Sequence, residues 1–247
     1  MQSQPSGPID PEGVGALGTI LSIWAHPDDE TFLAGGVMSC AAANGQRVVC
    51  VCATAGEHGT DDPVTWPPQR LGQTRRWEAA AAMAVLGVTD HRFLDLPDGG
   101  LPELDPEGPV AHLVEIMREV EPDTILTFGP DGRTFHPDHR TVSSWVGAAW
   151  QRAGHPGRLL HQAMSVPQAM RWEAEFERWG IYMTDERPPS VPVDDLAVRF
   201  TMDGRLLDQK YAALCAMHTQ VGPSIALLGG TLFRDINSEE CFVEVVR

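Results

Sequence analysis

The chain has 247 residues, of which 43% are hydrophobic, and a formal net charge of −16 at pH 7. These values predict one large or two small globular domains. They argue against nucleic acid or a membrane as partner, since no basic stripe and no apolar run of membrane-spanning length is present. The N-terminus lacks a basic segment followed by an apolar one, so we expect no secretory signal and a cytoplasmic protein.

The first 150 residues alternate between strand-like and helix-like patterns. Residues 1–17 predict a flexible tail before a single domain at 18–247. Strands are predicted at 18–25, 47–54, 91–96 and 124–128, and helices at 30–44, 74–86 and 110–120. This alternation indicates an α/β fold that is Rossmann-like and three-layered, with a mostly parallel sheet and helices on both faces.

The C-terminal part has a weaker pattern. It predicts strands at 158–165, 198–202 and 240–246, and helices at 167–179 and 206–218. The proline-containing loop 56–72 and the region 151–200 are expected to set specificity. Trp66, within the first of these loops, is a candidate for stacking on a sugar ring.

The five cysteines are predicted to be reduced core residues. Cys50 and Cys52 lie in the second predicted strand. We expect their thiols to point apart on alternating faces, which argues against a metal site formed by this pair.

Two motifs share the tripeptide His-Pro-Asp, and each follows an apolar run that is predicted as a buried strand. The first is Ala-His-Pro-Asp-Asp-Glu at residues 25–30, and the second is His-Pro-Asp-His at residues 136–139. Proline after each histidine favours the first turn of a helix. Ligands in parallel α/β folds bind beyond the carboxyl ends of strands, so we expect the two motifs to meet there.

The motif side chains form the ligand set of a metal site that leaves a position for water. His26, Asp29 and His139 supply two imidazoles and one carboxylate, the donors that a hydrolytic zinc ion requires. Zinc lowers the pKa of its water to ~7, so that hydroxide is available at neutral pH. The sequence therefore predicts metal-assisted hydrolysis.

Three further residues of the motifs complete this chemistry. Asp28 is predicted as the general base that takes a proton from the water, although a helix N-cap is its plainer interpretation. His136 is predicted as the acid for a leaving amine or as the stabiliser of the oxyanion. Asp138 is predicted to orient one of the histidines.

With these motifs the chain resembles the LmbE/PIG-L family of zinc-dependent N-acetylglucosaminyl deacetylases, which includes mycothiol- and bacillithiol-type members. The resemblance extends to Thr-Ala-Gly-Glu at residues 54–57, to Arg75 and Glu78, and to Pro-Asp-Gly-Gly at residues 97–100. It covers most of residues 18–222.

The resemblance implies zinc ligands, a base and an acid at the positions already named. It also implies three substrate-binding residues, Arg75, Asp98 and His218. Glu57 either holds the metal ligands in place by hydrogen bonding or is a solvated acid of the loop. Mycothiol-type members carry a tyrosine two residues before the first histidine of the second motif. This chain has Thr134 there.

The same resemblance implies partners and a cofactor. The substrate would be a small N-acetylated amino sugar or conjugate, with no nucleic acid and no membrane involved. The cofactor would be Zn²⁺, although the same ligands accept Fe²⁺. Relatives assemble into trimers or hexamers, so a homo-oligomer stays open.

Other functions stay open at this point. They are an amidase of the same fold on a non-sugar or thiol-conjugate amide, a non-haem iron oxygenase, and a metal-binding module without catalysis. Such oxygenases usually have all-β barrels, which the predicted alternation disfavours. Plainer interpretations also exist for Arg75 as a surface partner of Glu78, for Asp98 as a turn residue, and for His218 as a complement to a helix dipole.

Overall fold

The computed structural model describes residues 13–246, and a single sheet of eight strands forms its centre. The strands are β1 (Ile20–Trp24), β2 (Val48–Cys52), β3 (Asp90–Phe93), β4 (Thr124–Phe128), β5 (Arg158–Ser165), β6 (Ser190–Val191), β7 (Val198–Thr201) and β8 (Glu239–Glu244). Seven of them lie in the order β3-β2-β1-β4-β5-β8-β7, and β6 pairs with β5. The pairs among β1 to β6 are parallel, whereas β8 is antiparallel to β5 and β7.

Helices cover both faces of this sheet. They are α1 (Asp29–Ala43), α2 (Pro68–Leu86), α3 (Glu107–Val120), α4 (Pro137–Arg152), α5 (Val166–Trp179), α6 (Gly204–Ala216), α7 (His218–Leu228) and α8 (Gly230–Ile236). Helix α1 contacts α2 and α6, and α3 contacts α4. Helices α1, α2 and α6 lie on one face of the sheet, and α3 and α4 lie on the other. The side changes because the crossovers are right-handed and the strand order reverses. The predicted three-layer α/β fold is confirmed. Within residues 13–246, none of the helices combines the length and apolarity needed to span a bilayer.

The strand order reverses at β1, which lies between β2 and β4. All three strands are buried along their whole length, as expected for central parallel strands that are covered on both faces. A crevice opens beyond the carboxyl ends of the strands at such a reversal. Because one His-Pro-Asp motif follows β1 and the other follows β4, the fold brings both motifs to this crevice.

Three predicted boundaries are wrong. Residues 13–17 of the predicted tail form a short 3-10 helix, whose Val14 and Leu17 are fully buried against the core. Helix α2 begins at Pro68, inside the predicted loop, because proline is favoured in a first helical turn. The predicted helix 206–218 ends at Ala216, and a separate helix starts at His218. Residues 1–12 lie outside the described residues, so a flexible tail there stays a prediction.

Cys50 and Cys52 are buried free thiols, but the predicted orientation of their side chains is wrong. Residues two apart on a strand share a face, so the two thiols are neighbours joined by a hydrogen bond. His91 of β3 lies beside them, with its Nε2 atom 3.4 Å from the sulfur of Cys52.

A buried ion pair joins α1 to the rest of the fold. The Nζ atom of Lys210 on α6 lies 2.7 Å from a carboxylate oxygen of Glu240 on β8, and both side chains are completely buried. The carboxylate of Glu240 also accepts the main-chain N–H groups of Gly36 and Val37, at 2.7 and 2.9 Å. Lys210 donates in addition to the carbonyl oxygen of Phe32, at 2.8 Å. These bonds fix the middle of α1, the helix that begins at the first motif.

Candidate active site

The turn between β1 and α1 has an unusual backbone conformation. Asp28 has a φ angle of +125°, in a region that residues with a side chain rarely adopt. Its side chain makes no capping hydrogen bond to α1, so the interpretation of Asp28 as a plain N-cap is wrong. Backbone outliers of this kind cluster at functional sites, where surrounding contacts hold them.

Three donor groups face one another at the carboxyl ends of β1 and β4. The Nδ1 atom of His26 lies 3.2 Å from Nε2 of His139 and 3.4 Å from Oδ2 of Asp29. The Nε2 atom of His139 lies 3.4 Å from Oδ1 of Asp29. Donors at about 2.0–2.1 Å from a tetrahedral ion are separated by about 3.3–3.4 Å. The three side chains therefore fit a single divalent ion. A ring nitrogen of His136 also lies within 4.8 Å of those of His26 and His139.

Hydrogen-bond acceptors orient both histidine rings from the opposite side. The Nε2 atom of His26 lies 3.0 Å from Asp98 and 3.3 Å from Asp138. The Nδ1 atom of His139 lies 2.9 Å from the carbonyl oxygen of Gly132. Contacts of this type fix the tautomer and the ring orientation of histidines that bind metals. Asp138, which is predicted to orient a histidine, contacts the ring of His26, and Asp98 makes a similar contact.

The charges around the donors favour a cation. Burial alone would lower the pKa of His26, but hydrogen bonds with Asp138, Asp29 and Asp98 raise it well above its ordinary value. Burial alone would raise the pKa of Asp29, but its interactions with His139 and His26 lower it to about 2. Burial lowers the pKa of His139 to about 4. Asp29 is therefore ionised and His139 neutral at pH 7, as metal ligands must be, whereas the three carboxylates favour a protonated His26, whose proton a bound cation would replace.

Arg75 of α2 holds the turn that carries Asp28. Its side chain is only 4% exposed, and its Nη2 atom lies 3.1 Å from Oδ2 of Asp28. It also donates to the carbonyl oxygens of Gly56 and Pro27, at 2.7 and 2.6 Å. The interpretation of Arg75 as a surface partner of Glu78 is wrong, because the side chain points inward from α2.

The carboxyl group of Asp28 is suited to proton transfer near neutral pH. Burial raises its pKa to about 7, with Arg75 opposing the shift and the charges of Asp29 and Glu30 adding to it. A general base works best when its pKa lies near the working pH.

His136 is the N-cap of α4. Its Nδ1 atom accepts the main-chain N–H of Asp138 at 3.1 Å, so the neutral ring carries its proton on Nε2. Burial and the charge of His26 lower the pKa of His136. The ring stacks against that of His139, with 4.7 Å between the centroids. His136 is thus a neutral imidazole with one N–H donor.

Glu57 and Asp98 connect two loops at the edge of the site. The main-chain N–H of Asp98 donates to Glu57 at 3.1 Å, and Oδ2 of Asp98 accepts the N–H of His58 at 2.7 Å. Asp98 is therefore more than a turn residue, since its other oxygen contacts the ring of His26. Glu57 therefore supports this turn through its hydrogen bond with Asp98 and is not an isolated, solvated acid.

A cavity of about 450 Å³ opens above the donors. Its volume is in the range of sites for small molecules. Its inner end includes most of the predicted site residues, namely His26, Asp28, Asp29, Arg75, Asp98, His136 and His139. The rest of its lining combines polar residues with apolar side chains that were not predicted from the sequence, namely Phe32, Leu33, Phe176, Trp179, Ile181 and Met183. These come from separate elements, and no local pattern distinguishes them from core residues.

Two residues that are predicted to contact the substrate, His218 and Trp66, do not line the cavity. His218 is exposed at the start of α7, whereas Gln220 and Ser224 of that helix line the cavity. Residues two apart in a helix point about 200° from each other, so Gln220 faces the cavity and His218 faces away. Trp66 instead lies beneath the guanidinium group of Arg70, 4.6 Å from the ring centroid.

The fold and this constellation define an α/β protein with a candidate metal centre of two histidines and one aspartate at the reversal of its sheet. The chain belongs to the PIG-L family, since the family model described as GlcNAc-PI de-N-acetylase matches residues 21–150.

Comparison with known proteins agrees with this family. The chain is 34% identical to the 1D-myo-inositol 2-acetamido-2-deoxy-alpha-D-glucopyranoside deacetylase of Kineococcus radiotolerans, over 82% of this chain and 68% of the relative. It is 31% identical to the protein of the same name from Saccharomonospora viridis, over 91% and 94%. The N,N'-diacetylchitobiose deacetylase from Pyrococcus horikoshii has the same fold, with a TM-score of 0.62 at 21% identity over 92% and 83% of the two chains.

Proposed function

We propose that this protein is a metal-dependent hydrolase that removes the N-acetyl group from an N-acetylglucosamine-type amino sugar or conjugate. The observation that carries the proposal is the spacing of the donors of His26, Asp29 and His139 beside the buried carboxyl group of Asp28. The names of the curated relatives support the substrate class. The parallel α/β sheet disfavours an iron oxygenase, whose usual fold is an all-β barrel.

Zn²⁺ is the proposed cofactor, and Fe²⁺ would be satisfied by the same three ligands. When bound, the ion would act as a Lewis acid and lower the pKa of a water molecule to ~7. His26, Asp29 and His139 would hold it, while Asp98, Asp138 and the carbonyl of Gly132 keep the rings in place.

Asp28 and His136 divide the proton transfers between them. Asp28 takes a proton from the attacking water, and Arg75 keeps its carboxyl group in position. His136 donates a hydrogen bond from Nε2 to the oxygen of the amide that becomes negatively charged. Because the pKa of His136 is lowered, we favour this role over that of the acid. Asp28, with a pKa of about 7, then returns its proton to the leaving nitrogen.

Substrate contacts are proposed at two sequence-predicted residues. Arg75 lines the cavity, and its buried Nε atom, which has no partner among the described residues, is proposed to donate to an oxygen of the sugar. Asp98 lines the same cavity and is proposed to bind a sugar hydroxyl.

The experiment is amine and acetate release from N-acetylglucosamine, its methyl glycoside, its inositol glycoside and N,N'-diacetylchitobiose. It uses metal-stripped protein with Zn²⁺ or Fe²⁺ added back. We expect metal-dependent release from at least one of these sugars. If a stoichiometric ion is bound and none of the sugars is hydrolysed, the proposed reaction is wrong for this substrate class.

The matched variants are Asp28→Asn and Asp61→Asn, the latter in an exposed loop. Asp28→Asn should keep its metal and lose about 10²–10⁴-fold in kcat, since it can no longer accept a proton. Asp61→Asn should behave like the unmodified protein. Unchanged turnover in Asp28→Asn would remove this residue as the base.

A further inference from the structure

Arg133 lies in the loop between β4 and α4, three residues before His136, and its side chain enters the protein. The residue is 8% exposed. Its main-chain N–H donates to Asp131 at 2.6 Å, which holds the loop in shape. The guanidinium group lies 5.3 Å from the ring centroid of Phe176, and its Nη2 atom lies 3.5 Å from the sulfur of Met164. The side chain also forms a hydrogen bond with Tyr182, while burial lowers the pKa of Arg133.

This guanidinium group forms no ion pair within the part of the chain that the structure describes, although the charge of Asp131 acts on it from beyond ion-pair distance. Its Nη1 atom is buried and has no hydrogen-bond partner among residues 13–246. By contrast, Arg75 and Arg199 are ion-paired with Asp28 and Glu239. A buried cation without a counter-charge is costly, unless a ligand supplies the charge.

A second unpartnered group lies on the same wall. Gln162 of β5 is 7% exposed, and its Nε2 atom donates to the carbonyl oxygen of Ala163 at 2.7 Å. Its Oε1 atom is buried and has no donor among the described residues. Arg133 and Gln162 both line the main cavity, and they also separate it from a smaller cavity of about 190 Å³. Both residues thus border the cavity, and each has a buried polar atom without a partner, a donor in Arg133 and an acceptor in Gln162.

We propose that Arg133 and Gln162 form a subsite for a hydroxyl-bearing anionic unit that is joined to the acetylated amino sugar. This inference rests on the proposed function and names its substrate class. Nη1 of Arg133 binds an oxygen of a carboxylate or a phosphate, and Oε1 of Gln162 accepts a hydrogen bond from a neighbouring hydroxyl. Phe176 and Trp179 line the same cavity and supply apolar surface for the ring of that unit.

The test compares three disaccharides in which N-acetylglucosamine is linked to glucose, to glucuronic acid or to glucose 6-phosphate. They differ in charge at one position, so the two anionic substrates separate a carboxylate from a phosphate. We expect kcat/KM to be at least tenfold higher for one anionic substrate than for the neutral one. If Arg133 and Gln162 bind only water, kcat/KM should be equal for all three disaccharides. That result would overturn the proposal.

Two variants test the residues themselves. In Arg133→Gln the preference for the anionic substrate should fall to about one. In Arg178→Gln, which removes an exposed charge from the same helix as Phe176, the preference should persist. Gln162→Glu places a carboxylate beside Arg133 and should abolish the preference for the anionic substrate. Because this variant keeps the arginine, it tests the subsite even if Arg133→Gln does not fold.

Binding separates failure of this subsite from failure of the proposed reaction. If none of the disaccharides is hydrolysed, the reaction is wrong, but calorimetric titration with the same three ligands still tests the subsite. Tighter binding of an anionic disaccharide that is lost in Arg133→Gln supports the proposal. Equal affinities for the neutral and the anionic ligands refute it.

Discussion

Lys210→Met should destabilise the protein by about 3–5 kcal/mol, because it leaves the carboxylate of Glu240 buried without its counter-ion. Both side chains are completely buried, with 2.7 Å between Nζ and the carboxylate oxygen. Methionine keeps most of the aliphatic volume of lysine, so little of the loss comes from packing. For a chain of this size the expected fall in melting temperature is about 6–20 °C.

The assay is the free energy of unfolding in urea, followed by tryptophan fluorescence. The control is Arg152→Met, which removes an ion pair at the surface. The side chain of Arg152 is 47% exposed, and that of its partner Glu107 is 68% exposed. This loss should be below about 1 kcal/mol. Adding Glu240→Gln to Lys210→Met removes the unpaired charge and should recover at least about 1 kcal/mol. A loss in Lys210→Met as small as that of the control would refute the reasoning.

Further predictions concern the metal site. His139→Ala should lower the bound metal far below one ion per chain by mass spectrometry, and full occupancy would contradict its role as a ligand. Asp138→Asn weakens the contact with His26 and should reduce metal affinity by about 10–100-fold in chelator competition, whereas exposed Asp105→Asn should not. Gly132→Ala should lower both metal content and melting temperature, because φ is +65° there and a Cβ atom would lie 2.8 Å from Cβ of His139. An unchanged metal content and an unchanged melting temperature would show that the loop can accommodate the added Cβ atom.

Local patterns in the sequence were sufficient to predict most of the fold. The strand prediction at 124–128 and the one at 158–165 agree with β4 and β5 in both bounds. Continuous apolar runs followed by helix-start signals are strong evidence for parallel α/β units, because both follow from neighbouring residues. Where the pattern was weak, as at the break between α6 and α7, the prediction was wrong.

The site was predictable to the extent that its residues are close in sequence. His26 and Asp29 belong to one motif and His139 to the other, so only the adjacency of two strand ends had to be inferred. The placement of His218 could not be inferred in this way, because it depends on the break between α6 and α7 and on which face of α7 meets the cavity.

The sequence by itself determined the alternation of strands and helices through β4, the mostly parallel sheet and the donor types at the ends of β1 and β4. Only the tertiary structure decided which distant groups come together: Arg75 pairs with Asp28, Lys210 pairs with Glu240, and Arg133 and Gln162 line the same cavity. The physical reason is that hydrophobic periodicity reports which face of an element is buried. It carries no information about the partner of a buried polar group, because that partner depends on how elements far apart in the chain pack together.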